Sequence, residues 1–364
     1  MKKILLDIYL AKNLGDDIFL DLFAKKYPDA EITLTYPGKD YDDYLKNYSN
    51  VSAFPYKTTD KFLRRLKIYN KLVDFEWMAK EFDLLVFIGG GIFREEPEYE
   101  SSLFEYRNNL VSRFMDAEKP SFFLGCNFGP YTSKGFIDKH TALFKKCKDV
   151  CFRDTASFDL FKNLGNVRYA PDMVWGDDLD ETGITNSDEQ ILGISVINPR
   201  HKPGLEQYYE SYIQSQVKAI HGAIARSQKI HLFSFCEQEG DLLVIKDIES
   251  RLDKSDLEYV KVFNYDGNIN KYIEEIGKVS ELIAARFHSI IIGILLKIKV
   301  IPVIYNIKTK NLLSDIRFKN YFVDFTELNL LDEGIGRNNY INPDISRFRN
   351  GAMEHFTLLN EQFN

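Results

Sequence analysis

Cysteine is scarce in this 364-residue chain: Cys126, Cys147, Cys151 and Cys236 are the only four, and none belongs to a CxxC pair. That argues against a disulfide-dense framework and against structural zinc, and leaves reduced thiols in packed positions. A block of basic residues is missing as well. Lys and Arg total 47 against 54 Asp and Glu, a formal charge of −7, so a surface for the phosphate backbone of nucleic acid is disfavoured. Apolar runs fall short of membrane length. The longest uncharged part of the stretch 280–308, Phe287 to Leu296, is ten residues, where roughly 20 are needed to cross a bilayer. MKKILLDIYL at the N-terminus is interrupted by Asp7 and followed by no small-residue cleavage site. It reads as a first strand, and the expected location is the cytoplasm.

What is present is a hydrophobic content of 45% arranged as short β-rich runs separated by amphipathic segments, the pattern of parallel sheets. In the first half the strand candidates are KILLDIYL (3–10), AEITLTY (30–36), DLLVFI (83–88), SFFLGC (121–126) and DVCFR (149–153). In the second they are ILGISVI (191–197), KIHLFSF (229–235), EYVKVF (258–263), ELIAA (281–285) and KVIPVIY (299–305). Residues 60–82 show helical spacing. The fold class is therefore α/β, with two Rossmann-like doubly wound lobes, 1–178 and 190–341. The acidic, aperiodic stretch 172–190 is their connection. Residues 342–364 read as a helix that packs back on the first lobe.

In open parallel sheets ligands bind beyond the carboxyl ends of the strands, beside helix N-termini. The strand-to-helix loops there hold the candidate residues. AKNLGDD (11–17) places Asn13 and Gly15 in a turn, with Asp16 or Asp17 as the N-cap. Gly89, Gly90 and Gly91 offer either a bare backbone for a ligand or a tight turn; a dinucleotide fingerprint would need glycine at Arg94, and a Walker lysine is missing. LGCNFGPY (124–131) brings Asn127 and Tyr131. CFRD (151–154) puts Arg153 at a strand end, as a ligand group or as a salt-bridged structural arginine. Arg286 and His288 interrupt the most apolar stretch of the chain where ELIAA gives way to a helix over 289–297, and Lys308 follows the next strand. Buried arginines are rare unless paired, and the partner of Arg286 is either an internal carboxylate or an anionic ligand. Asp172 and Trp175 flank the connection, Trp175 as a sugar-stacking ring or a packed hinge residue. Tyr36, Tyr41 and Tyr44 read as plain packing.

NLGDD (13–17), GGG (89–91), the Gly129-Pro130 turn, FRDTASFDLFKNLG (152–165), Pro171-Asp172, ARFHS (285–289) and PVIYNIK (302–308) occur in an order that resembles the polysaccharide pyruvyl transferase family. The resemblance implies a GT-B-like pair of lobes with a cleft between them. It also implies transfer of a pyruvyl group from phosphoenolpyruvate to hydroxyls of a cell-envelope polysaccharide or its precursor. Carried over residue by residue, it makes His288 and Arg286 catalytic. The donor is then bound by Arg153, Arg286, His288, Lys308 and Gly89 to Gly91. The acceptor is sought near Asn13, Asp16, Asn127, Tyr131, Asp172 and Trp175. Phosphoenolpyruvate carries a carboxylate and a phosphate, which suits planar arginine forks, and a histidine can move a proton to the enol carbon near neutral pH. No metal and no cofactor beyond the donor substrate are expected. A lipid-linked acceptor would bring peripheral association with the membrane, and the sequence does not specify whether the chain forms homo-oligomers. Cys126-Asn127 replaces a Gln-like residue common before the Gly-Pro turn, which bears on acceptor preference. Two other readings stand beside this one: a sugar-nucleotide glycosyltransferase of the same architecture, and a glycan-binding protein that has lost the chemistry.

Overall fold

The computed structural model describes residues 1–37, 40–95, 100–179, 190–336 and 339–363; most of the predicted connection 172–190 lies outside them. The chain folds as two compact units. One comprises Met1–Leu10, Phe19–Met173 and Phe348–Asn364, the other Ala11–Ile18 and Val174–Arg347.

The first unit is built on a parallel sheet of β1 (Lys3–Ile8), β2 (Glu31–Leu34), β3 (Val51–Ser52), β4 (Leu84–Ile88), β5 (Ser121–Cys126), β6 (Asp149–Phe152) and β7 (Val167–Tyr169), in the order β3-β2-β1-β4-β5-β6-β7. The second unit has β8 (Ile191–Ser195), β9 (Lys229–Ser234), β10 (Val260–Asn264), β11 (Glu281–Ala284), β12 (Lys299–Ile304) and β13 (Val323–Asp324), in the order β10-β9-β8-β11-β12-β13. Both sheets are doubly wound, with switch points between β1 and β4 and between β8 and β11. All ten expected strands are present, most trimmed at their ends. The three that periodicity did not predict, β3, β7 and β13, are two- or three-residue strands at sheet edges, too short to carry a pattern.

Continuous apolar strands follow from burial on both sheet faces: every residue of β4 and β8 is buried. The two cores differ in kind. The first is aromatic, with Phe87 and Phe123 stacked at 4.3 Å between centroids. The second is dominated by Ile, Leu and Val, such as Ile194, Ile220, Ile230, Leu232 and Ile283. All four cysteines are free and buried, and burial raises their thiol pKa values, that of Cys236 to about 12.

Two helix expectations need correction. Residues 60–82 are not one helix but a helix Thr58–Arg65, a 3-10 turn Lys71–Val73 and a helix Phe75–Glu81. Asn70 and Asp74 break it, because their side-chain oxygens accept the backbone N–H groups of Leu72 and Trp77 and so start new turns. Residues 342–364 are likewise divided into Ser346–Ala352, the 3-10 turn Met353–Phe356 and Thr357–Asn360. From Phe348 this tail belongs to the first unit, where Phe356 is fully buried beside Phe23 and Tyr27 and the Tyr27 hydroxyl donates to Asn360 Oδ1 at 2.8 Å. Tyr41 and Tyr44 are buried in an edge-to-face aromatic chain, the packing role expected of them. No helix among the described residues is long and apolar enough to cross a membrane.

His140 and His355 are buried, and burial lowers both from the usual 6.5 to about 4. His140 sits among Phe93, Phe104, Phe128 and Phe136, and His355 is joined to the Pro171 carbonyl at 2.8 Å. Between pH 6.5 and 4 each takes up its proton only on unfolding. Stability is therefore complete above that window and falls as pH falls through it, by at most about 1.4 kcal/mol per pH unit per histidine. Urea titrations across this range are expected to show that loss, and His140→Phe should flatten the slope by close to one proton.

Candidate functional site

In the second unit the expected site residues gather at the β8/β11 switch point. Arg286 is the second residue after β11, in extended conformation at the N-cap of helix Phe287–Leu295. Its guanidinium does not wait for a ligand. Nε donates to Asp241 Oδ2 at 2.9 Å, Nη2 pairs with Asp241 Oδ1, and Nη1 donates to Glu239 Oε2 at 2.7 Å. Arg286 is 7% exposed and Asp241 is fully buried. Of the two partners expected for Arg286, an internal carboxylate or an anionic ligand, the first is present. Its charge is matched by interior carboxylates, which a guanidinium taken out of water requires.

Glu239 and Asp241 were missed. They lie in CEQEGD after β9, which reads as an ordinary acidic surface turn. Gly240 between them has φ +84, a left-handed conformation that turns both carboxylates toward one guanidinium. Asp241 Oδ2 also accepts the backbone N–H groups of Phe235 and Cys236, each at 3.1 Å. Glu239 Oε2 accepts from Lys202 Nζ at 2.6 Å, and Oε1 from Asn13 Nδ2 at 3.3 Å. Burial acts to raise the pKa of Glu239, but the charges of Arg286 and Lys202 outweigh it and hold the carboxyl well below its usual range. Through Glu239 the NLGDD segment and the ARFHS turn are one network.

That network fixes the start of helix Leu14–Lys26. The N-cap is Asn13, not Asp16 or Asp17: Asn13 Oδ1 accepts from Gly15 N at 3.1 Å. Asp17 turns inward, fully buried, and accepts from the Tyr265 hydroxyl at 2.8 Å; Asp16 is half-buried on the first turn. Gly15 lies inside the helix because His288 occupies the space of a side chain there. A Cβ at Gly15 would fall 1.7 Å from His288 Nδ1. His288, half-buried, thus stands on the first turn of one helix and in the first turn of another, Phe287–Leu295. Both ends carry the partial positive charge of a helix N-terminus. Lys308 is half-buried in the first turn of helix Ile307–Asp315, after the neighbouring strand β12.

A second cluster forms in the first unit from residues the motifs had scattered. Arg153, 8% exposed, donates Nη1 to Asp172 Oδ2 at 2.8 Å and Nη2 to Asn127 Oδ1 at 3.1 Å. Gly90 faces it: a Cβ there would lie 2.4 Å from Nη2 of Arg153. Asn127 N in turn donates to the Gly90 carbonyl at 2.8 Å. So the triple glycine makes room for a guanidinium, and Asn127 and Asp172, expected at the acceptor, are buried and hold Arg153 instead. The rest of FRDTAS is cap chemistry. Asp154 accepts from Ser157 N at 2.9 Å and from Ser157 Oγ, and Ser157 Oγ accepts from Phe128 N, each at 2.7 Å. Tyr131, beyond the cis Gly129-Pro130 bond, is 37% exposed. Trp175 is fully buried, so its ring offers no face to a sugar, and the stacking role is corrected to packing.

A family model described as polysaccharide pyruvyl transferase matches residues 13–307 of this chain. Among solved structures, HepE of Anabaena in complex with UDP and glucose is similar at TM-score 0.59 and 16% identity, over 100% of this chain and 98% of that one. A UDP-forming α,α-trehalose-phosphate synthase from Burkholderia xenovorans is similar at TM-score 0.52 and 10% identity, over 99% and 96%. A putative UDP-N-acetylglucosamine 2-epimerase from Listeria monocytogenes is similar at 0.57 and 8%, over 100% and 97%. At such identities the likeness is one of fold, the GT-B-like α/β class.

Gly15→Ala separates the site from the scaffold. Alanine is a better helix former than glycine, and the clash falls on a side chain that can swing away. The melting temperature is expected to hold or rise while His288 is displaced, which the shift of its ring signals in NMR spectra would report.

Proposed function

The chain belongs to the polysaccharide pyruvyl transferase family, and from that premise we propose that it transfers the pyruvyl unit of phosphoenolpyruvate to two hydroxyls of a cell-envelope glycan or its lipid-linked precursor. The observation that carries the reading is His288 at the second unit's switch point, seated on Gly15 where two helix N-termini begin. A donor with a carboxylate and a phosphate suits such a place, because the partial positive charge of helix N-termini favours anions. Lys308, in the first turn of the helix after β12, is assigned to the same donor.

The chemistry balances without an external oxidant or reductant. His288 delivers a proton to the methylene carbon, C2 becomes electrophilic, and a sugar hydroxyl forms a C–O bond there and loses its proton. A second hydroxyl then attacks C2 as the C–O bond to phosphate breaks, giving a cyclic ketal and inorganic phosphate. Positioning and charge stabilisation supply most of the rate. Arg286 is a positioning residue in this scheme: through Asp241 and Glu239 it fixes the turn that presents His288, and through Glu239 the Asn13 cap that sets Gly15 beneath it.

Incubation with phosphoenolpyruvate and a panel of lipid-linked and soluble glycosides should release phosphate and add a pyruvyl unit to a glycoside, read by mass. His288→Ala is expected to abolish release while donor affinity stays within a few fold; retained turnover removes His288 from the mechanism. The glycosyltransferase reading predicts thermal stabilisation by a nucleoside diphosphate sugar and none by phosphoenolpyruvate, and that result would overturn the proposal. Arg286→Met strands the Asp241 carboxylate in the interior, Glu239 keeping Lys202, and should cost about 3–5 kcal/mol of stability. Arg286→Lys keeps the charge and is expected to lower the melting temperature and kcat together with KM for the donor little changed. A raised KM at unchanged melting temperature would return Arg286 to the donor.

A further inference from the structure

The switch point of the first sheet carries a polar cluster that none of the motifs accounts for. β1 is flanked by β2 and β4 there, and open parallel sheets bind ligands in the crevice at such a point. Asp7, the penultimate residue of β1, lies in register with Phe87 of β4. Its Oδ2 accepts from Thr35 Oγ1 at 2.9 Å, Thr35 being the residue after β2. From helix Glu100–Asp116, Arg107 reaches back to the loop that leaves β4 and donates Nη1 to the Ile92 carbonyl at 2.6 Å. Its guanidinium lies 5.8 Å from the centroid of the Phe93 ring.

Arg107 is 9% exposed, and its Nε has no hydrogen-bond partner. Burial lowers its pKa and raises that of Asp7, and in each case the charge of the other opposes the shift. Yet no direct ion pair joins them among the described residues. An architectural pair would close to contact, as Arg153 does on Asp172 at 2.8 Å, since a buried N–H left unmade costs about 1–3 kcal/mol. Asp7 keeps part of its surface accessible. The groups gathered there are therefore a carboxylate, the hydroxyls of Thr35 and Tyr106, and a guanidinium N–H. An anion drawn to Arg107 would meet Asp7, and a cation drawn to Asp7 would meet Arg107. A neutral polyol meets neither objection, because each hydroxyl both donates and accepts.

We propose that Asp7, Thr35 and Arg107 form a sugar-hydroxyl subsite, Asp7 accepting from one hydroxyl of a pyranose and Arg107 donating to a neighbouring oxygen. That this sugar is the transferase's acceptor rests on the pyruvyl-transfer reading; that a sugar binds does not. The test is saturation-transfer NMR with methyl glucoside, methyl galactoside and methyl mannoside on the full chain, with phosphoenolpyruvate binding measured separately. Wild-type protein binds at least one glycoside. Asp7→Asn and Thr35→Val, both near-isosteric, weaken it about tenfold or more, the loss expected for one charge-assisted hydrogen bond, with donor affinity within twofold. Wild-type protein that binds none of the three, variants that bind as well as wild type, or inorganic phosphate displacing the glycoside from wild type would each overturn the subsite. Glycoside binding lost in Asp7→Asn by a protein indifferent to phosphoenolpyruvate would uphold it while removing the pyruvyl reading.

Discussion

A guanidinium taken out of water at the rim of a sheet has to be matched by carboxylates, and in this protein that requirement organises the second unit. Arg286 is held by Asp241 and Glu239, and leaving such a charge unmatched costs several kcal/mol. Three segments far apart in sequence are committed by it: the end of β11, the loop after β9, and the Asn13 turn that Glu239 joins to both. This explains why Ala11–Ile18 belongs with residues beyond Val174 rather than with the strand it directly follows. Leu14 N donates to the Phe235 carbonyl at 3.2 Å, and the Cys236 thiol lies 3.5 Å from the Ala11 carbonyl. The segment is docked by its backbone as well as by the Asn13 amide.

The same constraint separates architecture from chemistry among the motif residues. Arg286 and Arg153 both stand where a ligand-binding arginine was expected, and both are neutralised by interior acids. His288 is seated in the place of a missing side chain at Gly15, and an imidazole is the side chain suited to proton transfer near neutral pH. The motif ARFHS thus joins a residue that holds the turn to one that the turn presents. Their spacing follows from the local geometry: the first is the N-cap and the second is on the first helical turn.

The sheets were legible in the sequence because strands buried on both faces must be apolar throughout, and β4, β5, β8 and β11 could be read directly. The rims were legible too, since polar residues at the ends of such runs have few other places to go. What could not be read was which partner each polar residue would find. CEQEGD looks like any exposed acidic turn, and nothing local marks Glu239 and Asp241 as counter-ions to a residue some 45 positions on. Asn13 was misread for the opposite reason. Asp16 and Asp17 are sound cap residues by type, but Asp17 is drawn inward by Tyr265, a contact across 248 positions. Trp175 looked like a ring for sugars because it flanks an acidic loop, yet burial is decided by the packing around it. Tertiary pairing overrode local preference in every one of these cases.

Arg107 shows how far that lesson carries. It lies mid-helix in a sequence of mixed charge and invites no comment there, whereas Arg153 and Arg286 are conspicuous for interrupting apolar runs. In the folded unit the ranking reverses. The conspicuous arginines are compensated by carboxylates in direct contact, and the inconspicuous one faces Asp7 without touching it, at the point where the first sheet changes direction. A charge at a strand end is therefore a weak sign of a ligand. A stronger sign is a buried charge whose compensation is incomplete, because the fold tolerates that cost only where something else completes it. By that criterion the first unit's interest moves from the Arg153 cluster, which is closed upon itself, to the β1/β4 switch point, where a carboxylate and a buried guanidinium form no direct ion pair among the described residues.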